Sequence, residues 1–288
     1  MTDFSAFLQL LPETVLQSLI MSYVAMGIMI PFRMLDRPDI SCEGSFTLGS
    51  VVYAVCVTNG VGVLLSTGFG VIAGAFVGML TAFLHVKLRI HSLLASIIVI
   101  TMLYSAHLRI MQASNLPLFD EPTFFDYISP EILLGCLVLG VFLMAAFFFH
   151  TNHGLRLRAV GLNYELSKVY GFSRTGYVVL GFAIANALSS FSGVLLAQHQ
   201  HVADINIGGG VLVNGLAALM IGEVVVGNAS VLRQLVAPFL GTLLYQLIIS
   251  IVLVLGATPS DLKFVTGIIA ISIIFVSNLK KVKKELDI

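Results

Sequence analysis

Apolar residues fill the chain in nine long runs, near 14–32, 46–62, 63–85, 92–111, 131–150, 174–197, 208–227, 234–256 and 262–279. A helix crossing a bilayer needs roughly 20 such residues. The pattern therefore predicts an all-α, polytopic membrane protein with about 8–9 transmembrane helices, forming one domain over residues 1–288. The second run is short and has a polar lead-in, so whether it crosses completely is left open by the pattern.

The longest polar interval that still carries a helical pattern is 151–176. Leu155, Ala159, Leu162, Leu166 and Val169 recur at helix spacing, with Arg156, Arg158, Asn163, Glu165 and Lys168 on the other faces. Asn152 is placed to cap the start, and Gly171 to supply a left-handed stop. Two readings are open: a solvated or interfacial loop helix, or a docking helix offering a half-apolar face to a soluble partner.

Composition turns the apolar pattern into a statement about the solvent. With 58% hydrophobic and 10% charged residues, a 288-residue soluble domain would expose far too much apolar surface, so the surrounding medium is lipid. The formal net charge of +0 gives no reason to expect nucleic acid. Cys42, Cys56 and Cys136 lie in or beside apolar runs and read as small packing residues, not as a disulfide or metal set. Met1–Leu11 contains no basic residue, so the first run is expected to be a true crossing and not a cleaved signal.

Basic residues then set the orientation. Arg33 and Arg37, Lys87 and Arg89, Arg156 to Arg174, Arg233 and Lys280 to Lys284 fall in alternate inter-run segments, whereas the 112–130 segment carries Asp120, Glu121 and Asp126 with no Lys or Arg. Positive charge concentrates on cytoplasmic loops, so 151–176 and the C-terminus are expected inside and the N-terminus outside. Arg109 and Lys263 lie towards the opposite face, and His107 and Arg109 are expected to snorkel to the interface.

Glycine marks close contacts and breaks. Gly70, Gly74 and Gly78 form a four-residue ladder that lets helices approach closely. Gly208, Gly209 and Gly210 in succession predict irregular backbone. Asp39-Ile40-Ser41-Cys42-Glu43-Gly44 and Asp204-Ile205-Asn206-Ile207-Gly208-Gly209 share Asp-Ile followed by Gly five positions after the Asp. Five crossings apart, the two would be related by inversion, as in transporters built from inverted repeats with broken helices. Both stretches are expected to be irregular and to face a polar route.

Catalytic and nucleotide signatures are absent: there is no GxxxxGK[ST], HExxH or GxSxG. An energy-coupled function must draw on an ion gradient or a separate ATPase. The candidate pathway residues are Asp39, Ser41, Glu43, Asp204, Asn206, Asn214 and Glu223; Glu223 stands within an apolar run, where a charge is costly. Asn186 and Asn214 can also serve as bonds between helices. Gln198-His199-Gln200-His201 reads as a polar rim facing an outside partner, since His-x-His has no third ligand nearby. No metal or cofactor is expected.

Three stretches carry a family resemblance: FRMLDRPDISCEGSFTLGS at 32–50, GLRLRAVGLNYELSKVYGFSR at 154–174, and 181–227 from GFAIANALSSFSGVLLA to GLAALMIGEVVVG. The chain resembles the permease subunits of bacterial ABC importers in the branched-chain amino acid and ribose permease group. The 93–118 stretch, LLASIIVITMLYSAHLRIMQASNLPL, looks like the subgroup paired with tryptophan- or tyrosine-type binding proteins. The resemblance implies an inner-membrane importer subunit for a small solute, aromatic amino acids favoured, with an inverted-repeat architecture. It also implies a homodimer or a pair of similar permeases, cytoplasmic ATPase subunits and an extracytoplasmic binding protein. Arg158, Gly161, Asn163 and Gly171 match the family's cytoplasmic coupling segment, and Leu162 and Leu166 share one helix face beside them. The alternative is a secondary transporter driven by an ion gradient.

Overall fold

The computed structural model describes residues 2–162, 170–227, 229–258, 261, 262, 264–269, 271, 272 and 275. Nine helices are used as landmarks below: α1 (Thr2–Met29), α2 (Ser41–Thr58), α3 (Val63–Lys87), α4 (Ser92–Met111), α5 (Pro130–His150), α6 (Asn152–Leu162), α7 (Arg174–Gln200), α8 (Val211–Val226) and α9 (Val231–Val254). Two short strands, β1 (Asn115–Pro117) and β2 (Val202–Asp204), pair antiparallel.

Among the described residues, six helices are long and apolar enough to cross a membrane: Phe7–Met34, α3, α4, α5, α7 and α9. α8 is apolar but shorter, and α2 has 18 residues, the first of them polar. The last apolar run, 262–279, falls partly outside the described residues. Pro31 follows α1, and the helix widens there into a single π turn, Ile30–Met34, in which Leu35 N–H reaches back to the Ile30 carbonyl (3.1 Å).

Two central helices organise the rest. α1 and α7 run antiparallel: His199 pairs with Glu13 (2.6 Å), Ser192 donates its hydroxyl to the Ile20 carbonyl (2.6 Å), and Gly27 lies against Ala185. The α2–α3 hairpin packs on α7, and the α8–α9 hairpin packs on α1. Exchanging α1–α2–α3 with α7–α8–α9 thus reproduces the packing, which is the inverted-repeat plan expected from the Asp-Ile echo. α4 covers α2 and α3, while α5 is peripheral and turns most of its surface outward.

Small residues make the α2–α3–α7 contact possible. Gly74 faces Ser190 and the Asn186 carbonyl, and Gly78 faces the Phe182 carbonyl, leaving no space for a β-carbon. On the other side of α7, Gly193 sits on the Phe46 carbonyl of α2. Without a hydrophobic force between helices in lipid, such close van der Waals approach carries the association. The ladder's expected role in close packing is what the structure shows.

The helix directions gather Arg33, Arg37, Lys87, Arg89, Arg156, Arg158, Arg174 and Arg233 at one end, the basic end. The strand pair and the 112–129 segment lie at the other. Gln198, wholly buried, helps hold that segment: its Oε1 accepts from Phe124 N–H (3.0 Å) and its Nε2 donates to Thr67 (3.3 Å).

Candidate functional site

The approach to α2 folds around one carboxylate. Asp39 is fully buried and precedes the helix by two residues, so its Oδ1 accepts from the Ser41 backbone N–H (2.8 Å). The hydroxyls of Ser41 (2.6 Å) and Ser96 (2.9 Å) donate to the same oxygen, and the Asn186 side chain donates to Oδ2 (2.8 Å). Ser45 then donates to Asn186 Oδ1 (2.6 Å), so one network joins α2, α4 and α7. A carboxylate surrounded by donors is tolerated away from water, where an unpaired one would not be. Asp39 and Ser41 are therefore placed inside a structural knot and not on an open surface. The irregular stretch also ends earlier than the sequence suggests: 36–40 is irregular, but Ser41 to Gly44 already form the first turn of α2.

The second echo stretch repeats the motif in the open. Asp204 Oδ1 accepts from Asn206 N–H (2.7 Å), the same two-residue step as Asp39 to Ser41. Residues 205–210 form successive turns, as three glycines predict, and Gly210 takes φ +90°. The two echoes meet: Gly210 N–H donates to Glu43 Oε1 (3.2 Å), and Gly208 rests against Thr47 and the Glu43 carbonyl. Asn206 is exposed, and Glu43 is partly exposed beside it.

Next to this junction, between α1, α8 and α9, lies a cavity of about 400 Å³. Gln17, Gln200, Asn214, Thr242, Tyr245, Gln246 and Thr266 supply its polar lining, and among the described residues no Lys, Arg, Asp or Glu lines it. Its volume is in the range of roughly 300–1,000 Å³ typical of small-molecule pockets. Asn214 accepts a hydrogen bond from the Tyr245 hydroxyl (2.9 Å), linking α8 to α9 across the cavity wall.

Glu223 stands at the basic end of α8. Both its oxygens are held by Arg33, Nε to Oε1 (2.7 Å) and an Nη to Oε2 (2.5 Å), a two-pronged pair between the end of α1 and α8. A groove of about 390 Å³ runs beside it, lined by Phe32, Val213, Leu216 and Met220. A separation of 190 residues hid this partnership from sequence reasoning.

α6 is seated on the chain's own helix ends. Thr151, not Asn152, caps it: the Thr151 hydroxyl accepts from Gly154 N–H (3.4 Å). Its inner face is Gly154, Leu157 and Val160. Leu157 and Leu35 both lie over Gly181 of α7, and Gly161 sits on the Met34 carbonyl and Leu35. Arg158 donates to the Phe149 carbonyl at the end of α5 (3.3 Å). Gly161 and Arg158 thus both make contacts within the chain, and Met34 fills the space beside the glycine. The outer face is different: Leu155 is 52% exposed and Leu162 87% exposed. Asn163 and Leu166 lie outside the described residues. Gly171 has φ +67° in the turn before α7, whose start is capped by Ser173.

Other expectations change in the folded protein. His107 does not snorkel; it is 3% exposed in α4. Residues 198–201 are only partly a free rim, since Gln198 is buried and His199 is paired with Glu13. Among the described residues no three His, Cys, Asp or Glu side chains converge.

A broken-helix inverted repeat, a cavity between the helices and an end helix with outward leucines fit a multi-pass membrane permease. The match of residues 11–276 to the family described as "Branched-chain amino acid transport system / permease component" is decisive: the chain belongs to that family. Its place is the bacterial inner (plasma) membrane, and its class that of a transport subunit of ABC-type systems. It is 36% identical over 264 residues to the tyrosine transport system permease protein of Clostridioides difficile, covering 91% of this chain and 90% of that one. It is 34% identical over 279 residues to an uncharacterised protein of Rickettsia prowazekii, covering 93% and 96%. It is 20% identical over 251 residues to the ribose import permease protein of Escherichia coli, covering 84% and 78%. No solved structure matches the chain.

Proposed function

We propose that this chain is the membrane-spanning permease subunit of an ATP-driven importer for a small solute, with an amino acid of the aromatic type favoured. Two copies, or this chain and a similar permease, enclose the path, two cytoplasmic ATPase subunits grip the basic end, and an extracytoplasmic binding protein delivers solute. The observation that carries the reading is α6. Its inner face packs on the end of α1, on α5 and on α7, while Leu155 and Leu162 are exposed on the outer face. A helix so placed gains nothing alone from its exposed leucines; burying one leucine stabilises a contact by roughly 1.5–3 kcal/mol.

The seating also supplies a route for force. A push on α6 reaches Leu35 and Gly181 through Leu157; Leu35 closes the π turn that extends α1, and Gly181 belongs to α7. Tilting α1 against α7 would shift the hairpins they carry and change which side of the path is open, a rigid-body switch. Asp39, Ser41 and Asn186 hold the α2 side of this frame, while Glu43, Asp204, Asn206, Asn214 and Glu223 lie along or beside the route. The tyrosine system of the 36% identical relative favours an aromatic amino acid, and the amide and hydroxyl side chains lining the cavity can hydrogen-bond its amino and carboxylate groups.

The test is reconstitution in sealed vesicles with the neighbouring ATPase and binding protein. Uptake of tyrosine or a related amino acid that requires ATP on the basic side, and that Leu162→Asp abolishes together with ATPase retention, is the expected result. Uptake by the permease alone under an imposed ion gradient would overturn the reading in favour of a secondary transporter.

A further inference from the structure

A second polar pocket, distinct from the cavity, lies at the basic end between the loop after α1, the α3–α4 turn and the start of α7. It measures about 460 Å³, and Arg37, His85, Arg89, His91 and Arg174 line it. Its geometry is prearranged. His85 Nδ1 lies 2.7 Å from the Ile90 carbonyl, which can only accept, so Nδ1 carries the proton. His85 Nε2 therefore accepts from the Arg37 Nη (2.5 Å) and fixes that guanidinium. Arg37 Nε is buried and has no partner. Asp36 is near enough to favour the Arg37 charge, while burial and Arg174 oppose it more strongly and lower the Arg37 pKa. Arg89 occupies the left-handed region (φ +56°), as does Asp36 (φ +52°), where glycine would cost least. Three guanidinium groups around one cavity, one of them carried by a left-handed backbone position, describe a receptacle for an oxyanion.

The surroundings select the kind of oxyanion. Phe83, Leu88, Leu94 and Ile97, on the last turn of α3, the turn itself and the first turns of α4, are 52%, 60%, 51% and 49% exposed. Apolar side chains of that exposure on spanning helices face acyl chains. We propose that this pocket binds the phosphate headgroup of an anionic phospholipid, with its tails along the start of α4. Arginine forks suit phosphate oxygens, and the headgroup lies at the depth where the basic ends of spanning helices sit.

The site is tested by binding, which does not depend on transport. Purified, delipidated full-length protein is titrated with phosphatidylglycerol or phosphatidylcholine of matched chains and read by native mass spectrometry, with inorganic phosphate as a competitor. Phosphatidylglycerol should be retained preferentially. Each basic residue near an anionic headgroup is worth about fivefold in affinity, so Arg37→Gln with Arg89→Gln should lose about twenty-five-fold. Arg89→Gly removes the charge while easing the left-handed backbone, so it keeps the fold and should lose about fivefold. Arg233→Gln, at the same end but outside the pocket, should change nothing. Equal retention of the two lipids, equal loss in Arg233→Gln, or undiminished binding in the Arg89 variant would overturn the proposal. Displacement of the lipid by millimolar phosphate irrespective of chain length would also overturn it, assigning the pocket to a soluble anion.

Discussion

Gly161 of α6 lies directly on the carbonyl oxygen of Met34, the last residue of the π turn that ends the first long helix. No β-carbon fits there without moving one helix off the other. Overpacking of this kind costs about 1–3 kcal/mol. Gly161→Ala is expected to leave the permease inserted and bound to its ATPase but to lower solute uptake per ATP hydrolysed. Parallel uptake and phosphate-release assays on the same vesicles check this; an unchanged ratio would mean that the contact carries no coupling.

Asp39 and Asp204 start matching turns but should respond differently to substitution. Asp39→Leu leaves the buried Ser41 N–H without its acceptor, at roughly 1–3 kcal/mol, and also removes the bonds from Ser41, Ser96 and Asn186, whose side chains keep second acceptors. Asp204→Leu removes one acceptor at a partly exposed turn, about 1 kcal/mol. Thermal unfolding in detergent should therefore show a large loss for Asp39→Leu and a small one for Asp204→Leu. Similar melting temperatures for both would contradict the buried network.

Arg33 and Glu223 form a pair whose Arg33 side chain is 44% exposed, so its net contribution to stability is at most about 1 kcal/mol. Its value lies in joining α1 to α8. Arg33→Glu and Glu223→Arg should each impair uptake with near-normal stability, and the double exchange should restore much of it. Additive losses in a double-mutant cycle would show that the two act separately.

The cavity between α1, α8 and α9 should control passage. Gln246→Trp fills it from α9 without touching the Asn214–Tyr245 bond. Expression and ATPase binding should persist while uptake falls at least tenfold. Normal uptake in this variant would place the route elsewhere, the groove beside Arg33 being the next place to probe.

Orientation follows from charge. In a chain lacking native cysteines, Tyr170→Cys, at the basic end, should be reached only from the cytoplasm, and Phe119→Cys only from outside; the native side chains are 74% and 76% exposed. Labelling of both from one side of intact cells would refute the arrangement.

Much of this was legible from local pattern. Gly70, Gly74 and Gly78 announce a close helix contact because nothing else explains a four-residue ladder of missing side chains, and the Gly208–Gly210 run announces a break because glycine stabilises no helix. The role of Gly161 was not legible. A glycine on an amphipathic helix shows that something comes close, but not whether the neighbour is a partner protein or the same chain's Met34. Thr151 was passed over as the cap because Asn152 is equally able to accept a backbone bond, and only the backbone geometry at the end of α5 chooses between them. His107, read as an interfacial residue from its place near a helix end, is buried by α4's rotation against its neighbours, a variable that periodicity in an almost uniformly apolar helix does not encode.

The sequence by itself determined that the chain lives in lipid, that it is helical throughout its crossings, that most of its basic residues, Arg109 and Lys263 apart, fall in alternate segments, and that it carries no nucleotide signature of its own. These properties follow from composition and local spacing, because an apolar solvent leaves the backbone few alternatives. Tertiary structure alone decided which buried polar groups meet. Asp39 finds Ser96 and Asn186 across 57 and 147 residues, Arg33 finds Glu223 across 190, and Glu43 closes on Gly210 across 167. In a membrane interior each of these groups must find some partner, but hydrogen bonds fix only the need. The packing of glycine and serine faces between α2, α3 and α7, and between α1 and its own neighbours, fixes the choice, since only helices that approach that closely bring such short side chains within reach.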